Sequence, residues 1–176
     1  MLEEYRGKIP PALFKSLQKL FTSVFNTPAA RDSVFAPTTD AHCLVVTELP
    51  AGAGALQVCV GFAVLFDGAL MQALPVSKAY WQLRHSIHVD DTYVGFMCVA
   101  DDSRGQGLGS VFLATLKQRA TAAGKGGAIW LESDTSNKEA HAWYVGAKFE
   151  QVAVLEEYDA DQLGLLMRWA AAVVIE

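Results

Sequence analysis

Paired cysteines are missing from this sequence. It has three, Cys43, Cys59 and Cys98. Their odd count and wide spacing fit neither a disulfide framework nor a zinc site. All three sit in apolar runs, which predicts buried, inert thiols, with a reactive Cys98 as the weaker alternative. Charge is scarce too. Only 19% of residues are charged, and 14 Lys and Arg stand against 19 Asp and Glu, for a net charge of -5. A nucleic-acid binder needs a basic face to displace counterions, so this balance argues against that class. No long unbroken apolar run occurs either. The most apolar stretch, Val58 to Val76, contains Asp67, glycines and Pro75 and reads as strand, not as a membrane span. The first residues, Met1-Leu2-Glu3-Glu4-Tyr5, do not form a secretory signal. The expected location is therefore the cytoplasm, with no membrane partner. No internal repeat, low-complexity tract or linker is visible, so residues 1–176 are expected to form a single domain.

What is present is apolar mass. Of 176 residues, 52% are hydrophobic, enough to bury a core without metal or disulfide. Low charge and positive mean hydropathy favour a self-association surface, which makes a homodimer an expectation. The acidic balance suits a cationic substrate.

Pro10-Pro11 opens a helix with Leu13, Leu17, Leu20 and Val24 at steps of three and four, closed by Asn26-Thr27-Pro28. Residues 27–41 read as loop. Residues 42–49 and 56–66 read as a strand hairpin around a turn at 50–54. A helix is expected over 77–85, carrying Trp81. Residues 92–99 form a strong strand, apolar on both faces as a central strand is. A helix follows over 108–123, then a short strand at 128–132, a helix at 137–145, and strands at 149–158 and 164–169. The fold class is α/β (mixed α+β): one central sheet combining antiparallel and parallel pairing, flanked by helices.

The most informative segment is Arg104-Gly105-Gln106-Gly107-Leu108-Gly109-Ser110. A strand ends, the chain turns through glycines, and a helix begins. Such a helix start offers unpaired N–H groups and the positive end of a dipole. Glycines let the backbone approach an anion, and Arg104 and Ser110 add side-chain donors. This is pyrophosphate-binding chemistry, set against the alternative of a purely structural strand-to-helix turn. One cofactor family that uses it is the Rossmann dinucleotide fold, nearly matched by Gly105-x-Gly107-x-x-Ser110 with Glu132 closing the next strand. Ser110 in the last small position, the polar residues between strand and first glycine, and the short sequence that follows all weigh against it.

The sequence resembles the GNAT superfamily of N-acetyltransferases more closely. Arg104-Gly105-Gln106-Gly107-Leu108-Gly109 is similar to its Arg/Gln-x-x-Gly-x-Gly/Ala loop, and Gly95 to Val99 to its central strand. Asn137-x-x-Ala140-x-x-Trp143-Tyr144 followed by Phe149 resembles its second motif. Lys148 stands where the motif has glycine before Phe149, and Gly95 stands where members acting on polyamines carry a glutamate.

The resemblance implies a sheet splayed at its central strands around acetyl-CoA, and direct attack of a small-molecule or peptide amine on the thioester, with no metal. It implies that Arg104 to Ser110 bind the pyrophosphate, that the strand end at Cys98 and Val99 and the helix start at Asn137 face the pantetheine arm, and that the Val99 N–H serves the oxyanion. It makes Tyr144 both a cofactor contact and the general acid. A tyrosine, with a reference pKa of about 10, holds its proton at neutral pH for donation to sulfur. Glu132 is the first choice of base, followed by Asp90, Asp91 and His88. Tyr80, Trp81, Asp90 and Asp91 are candidate acceptor contacts. The competing readings are a catalytically idle acyl-CoA-binding domain of the same type and a Rossmann-type NAD(P) oxidoreductase.

Overall fold

Pro10 and Pro11 decide where the first helix starts. Proline has no N–H and a fixed φ, which suits the first helical position, and the Phe14 N–H closes the first turn on the Pro10 carbonyl at 2.8 Å. The computed structural model describes residues 1–6, 8–25, 42–48, 58–73, 81–122, 127–159 and 162–171. In it this helix, α1, spans Pro11–Phe25. The expected loop at 27–41 and turn at 50–54 lie outside the described residues. The remaining helices are α2 (Gly68–Ala73), α3 (Trp81–Ser86), α4 (Leu108–Ala122) and α5 (Lys138–Gly146). The strands are β1 (Leu2–Arg6), β2 (His42–Glu48), β3 (Val58–Asp67), β4 (Thr92–Val99), β5 (Ala128–Asp134), β6 (Glu150–Asp159) and β7 (Gln162–Ala170). The seven form one sheet in the order β1-β2-β3-β4-β5-β7-β6.

Sheet pairing excludes the doubly wound alternative. β4 and β5 are parallel, whereas β1–β2, β2–β3, β5–β7 and β6–β7 are antiparallel. The parallel pair is joined through α4, the crossover such a pair requires. Two elements were not expected from the sequence, β1 and α2. β1 is an edge strand rich in Glu3 and Glu4, residues that pair poorly in sheets and that blunt an edge against further association.

By contacts the chain divides into two compact units, Met1–Leu65 with Phe96–Phe112, and Phe66–Gly95 with Leu113–Glu176. In the first, Leu13, Leu17, Leu20 and Phe21 bury one face of α1. Phe21 packs its ring on Phe62 and Phe96 at 6.0 and 5.0 Å, and Phe25 meets Phe96 at 5.2 Å. Val24, expected within the buried stripe, is 37% exposed. It belongs to the last helical turn, where it lines a groove instead of the core.

The three cysteines are buried in this unit, as their apolar surroundings predict. Burial pushes the Cys43 and Cys59 thiols up to about 12 from 9, and moves Cys98 in the same direction. Below the ordinary thiol value both folded and unfolded chains keep these protons. Above it the unfolded chain releases protons that the folded chain retains, so stability falls. The expected slope is about 1.4 kcal/mol per pH unit for each thiol between about pH 9 and 12. Urea unfolding across this range measures it, and a thiol reagent should find the cysteines unreactive until the chain unfolds.

In the second unit β4 meets β5 through Thr92–Val94 against Ile129–Leu131. Its core gathers Leu83, Ile87, Tyr93, Ala128, Trp130, Leu155 and Leu166, with Phe66 and Met71 packed against them.

Candidate functional site

The glycine-rich turn begins with a short 3-10 turn at Asp101–Ser103. The Ala100 N–H donates to the Val60 carbonyl at 2.8 Å, tying the end of β4 to β3. Arg104 is extended, and Gly105 and Gly107 then adopt φ of 75° and 79°. Only glycine enters this left-handed region without strain. No heavy atom lies within 4 Å of where a side chain would start at either glycine, so the turn presents bare backbone to open space. The Val111 N–H closes the first helical turn on the Gly107 carbonyl at 3.0 Å. By helix geometry, the N–H groups of Leu108, Gly109 and Ser110 then have no carbonyl in α4 to serve, and they point along the positive end of a 15-residue helix. This arrangement fits a pyrophosphate.

Beside it lies a groove of about 530 Å³ lined by Leu20, Ser23, Val24, Ala100, Asp101, Asp102 and Arg104. Arg104 reaches Asp101 at 2.8 Å, with both side chains largely exposed. Such a pair contributes at most about 1 kcal/mol and yields readily to a phosphate. Gln106 and Ser110 are exposed, Leu108, Gly109 and Val99 half-buried, and Cys98 buried.

In the other unit, α5 carries the second set of candidates. Asn137 caps it, its side chain accepting from the Ala140 N–H at 3.2 Å, as asparagine does at this position. Tyr144 is buried on the inner face, its ring 4.9 Å from Trp143 and 5.7 Å from Phe149. The helix ends in a Schellman motif. The Phe149 N–H donates to the Tyr144 carbonyl at 3.0 Å and the Lys148 N–H to the Val145 carbonyl at 2.9 Å. Lys148 is the left-handed residue this motif needs, with φ of 68°. The sequence departure at Lys148 thus leaves the turn intact and places a strained lysine where glycine fits. Lys148→Gly should relieve roughly 1–2 kcal/mol of strain and lose part of it to chain entropy. The expected result is a melting temperature a few degrees higher, about 2–4 °C per kcal/mol for this size.

Glu132 stands on β5 opposite Leu166 of β7, half-buried and on the same strand face as Trp130. Asp91, expected among acceptor contacts and bases, has another task. It is 5% exposed. Its Oδ1 accepts from the Ala128 N–H at 2.7 Å, and its Oδ2 from the Trp130 indole at 2.8 Å and the His88 N–H at 2.9 Å. A carboxylate so engaged joins the ends of β4 and β5. Asp90 and His88 are exposed, and their backbones are closely approached. A side chain on Gly127 would start 2.5 Å from the Asp90 carbonyl, and one on Gly68 only 1.8 Å from that of His88. At Gly95 a side chain would start 2.5 Å from the Phe66 ring, so a glutamate there would require that ring to move. Trp81 opens α3; its side chain and all of Tyr80 lie outside the described residues. His141 is half-buried, and its Nε2 has no hydrogen-bond partner among the described residues. Among those residues no group of three or more His, Cys, Asp or Glu stands together to hold a metal ion.

The chain thus carries a strand-to-helix glycine turn that fits a pyrophosphate, a helix capped by Asn137, and a mixed sheet with a parallel β4–β5 pair. The family model for GNAT acetyltransferases matches residues 11–149, and the chain belongs to that family. Solved structures agree on the fold. NAA60 of Arabidopsis thaliana, in complex with acetyl-CoA, superposes with a TM-score of 0.68 at 12% identity, covering 97% of this chain and 98% of that one. The ribosomal-protein-S18-alanine N-acetyltransferase of Escherichia coli gives 0.64 at 16% identity over 100% and 99%. An acyl-CoA N-acyltransferase of Pseudomonas aeruginosa gives 0.65 at 18% identity over 96% and 97%. A search of curated proteins returns no match.

Proposed function

We propose that the protein transfers an acetyl group from acetyl-CoA to a small-molecule or peptide amine in the cytoplasm, by direct attack of the amine. The observation that carries this reading is the glycine turn. Gly105 and Gly107 hold left-handed φ with open space before them, at the start of a helix whose first N–H groups are not used within the helix. The family match and neighbours named for acetyl-CoA and N-acetyl transfer support it.

Acetyl-CoA supplies the activated thioester. The Arg104 to Ser110 backbone binds its pyrophosphate, and Arg104 exchanges Asp101 for a phosphate oxygen. The β4 end at Cys98 and Val99 offers its backbone to pantetheine as an added strand would, and the Val99 N–H serves the carbonyl oxygen. Asn137 caps α5. Tyr144 holds a proton for the departing sulfur. Glu132 accepts the proton of the amine. Asp91 takes no part, because its oxygens are committed to the fold.

A second reading is an acyl-CoA-binding domain without turnover, motivated by the absence of a glutamate at Gly95 and by Lys148 before Phe149. Thiol release with acetyl-CoA and a panel of primary amines and peptide N-termini separates the two. Release with one amine and not with buffer supports transfer. CoA binding with no release from any amine supports the idle domain.

A further inference from the structure

Lys117 lies on α4 and has no part in the chemistry above. Its ammonium donates to the Ala147 carbonyl, at the residue that closes α5. It also stands over two rings, Phe149 at 5.5 Å and Trp169 at 5.2 Å. Burial draws its pKa below the ordinary lysine value. One cation thus gathers the end of α5, the residue just before β6, and β7.

Each contact has a physical reason. The Schellman bonds satisfy the Tyr144 and Val145 carbonyls and leave that of Ala147 to find its own donor. A cation at a helix C-terminus is also favoured by the dipole, and ring faces attract it. Phe149 is the shared element. It meets both the Lys117 ammonium, at 5.5 Å, and the Tyr144 ring, at 5.7 Å.

We propose that Lys117 is a positioning residue for Tyr144. By clamping the Ala147 carbonyl and the Phe149 ring, it fixes the orientation in which Tyr144 presents its hydroxyl. The proposal rests on the reading of Tyr144 as proton donor.

Lys117→Met keeps the apolar stem and removes the charge and the donor. It should lower kcat about ten- to a hundredfold, the cost of a small misplacement of a reacting group, with KM for acetyl-CoA unchanged. Lys117→Arg should restore most of the loss, since a guanidinium donates and stacks on rings. The near-ultraviolet circular dichroism of the aromatic cluster should change in the Met variant and return in the Arg variant. A double-mutant cycle completes the test: in a Tyr144→Phe background, Lys117→Met should cost nothing further. Wild-type kcat in Lys117→Met, or an equal loss in both backgrounds, overturns the proposal. Wild-type kcat in Tyr144→Phe alone shows instead that the underlying reading has failed, and the proposal falls with it. If Lys117→Met does not fold, Trp169→Leu, which removes one wall of the cage, enters the same cycle with the same outcomes.

Discussion

Replacing Tyr144 with phenylalanine is expected to lower kcat by about two to four orders of magnitude, the range of a lost general acid, while KM for acetyl-CoA stays close to wild type. The substitution is nearly isosteric. The ring contacts with Trp143 and Phe149 depend on the ring, not the hydroxyl, and the Phe149 N–H bond goes to the Tyr144 backbone. The Schellman turn should therefore survive, and thermal unfolding should confirm that it does. Loss of kcat alone marks an interaction made only as the reaction proceeds. A rise in KM with unchanged kcat would make Tyr144 a cofactor contact and no acid. Steady-state kinetics with varied acetyl-CoA distinguishes the two.

The largest effect on stability is expected at Asp91. Asp91→Ala removes the acceptor for three donors at once, and two of them, the Ala128 N–H and the Trp130 indole, are in buried hydrogen bonds. Hydrogen bonds to a charged group contribute about 1.5–3 kcal/mol each, and a buried donor left without a partner carries its own desolvation cost. The effects are not additive within one network. A loss of about 3–5 kcal/mol is expected, comparable with breaking a buried charged network. Asp91→Asn keeps one acceptor oxygen and should lose roughly half as much. Urea unfolding of the three proteins measures this, and a loss below about 1 kcal/mol in Asp91→Ala would mean the network contributes little. Activity per folded molecule should be retained, because Asp91 acts on the fold and not on the reaction.

How far the sequence could be read depended on the range of the cause. Pro10-Pro11, the bounds of β4, the glycine turn and the Asn137 cap are set by neighbouring residues, and each lies where local chemistry puts it. β1 was hidden because Glu3 and Glu4 resemble a solvated terminus. The strand exists through its pairing with β2, in which Leu2 lies opposite Val46. Asp91 read as a candidate base and acceptor contact because the Ala128 and Trp130 donors that engage it lie 37 and 39 residues away in sequence. Lys148 showed as a departure from the motif, but not that it would take the left-handed conformation itself. Lys117 carries no local signal, since its rings and carbonyl come from the chain after α5 begins to end. The acceptor contacts were the least legible: Asp91 proved structural, and Tyr80 lies outside the described residues.

The central claim is that the turn at Arg104 to Ser110 binds acetyl-CoA. Thermal unfolding with acetyl-CoA, CoA, NAD or no ligand, each at high concentration, tests it most directly. A ligand that binds only the folded chain adds about 2.7 kcal/mol at a hundredfold excess over Kd, or roughly 5–10 °C at this chain length. The account predicts such a shift with acetyl-CoA and CoA and none with NAD. A shift with NAD alone, or no shift with any of the three ligands, would contradict it.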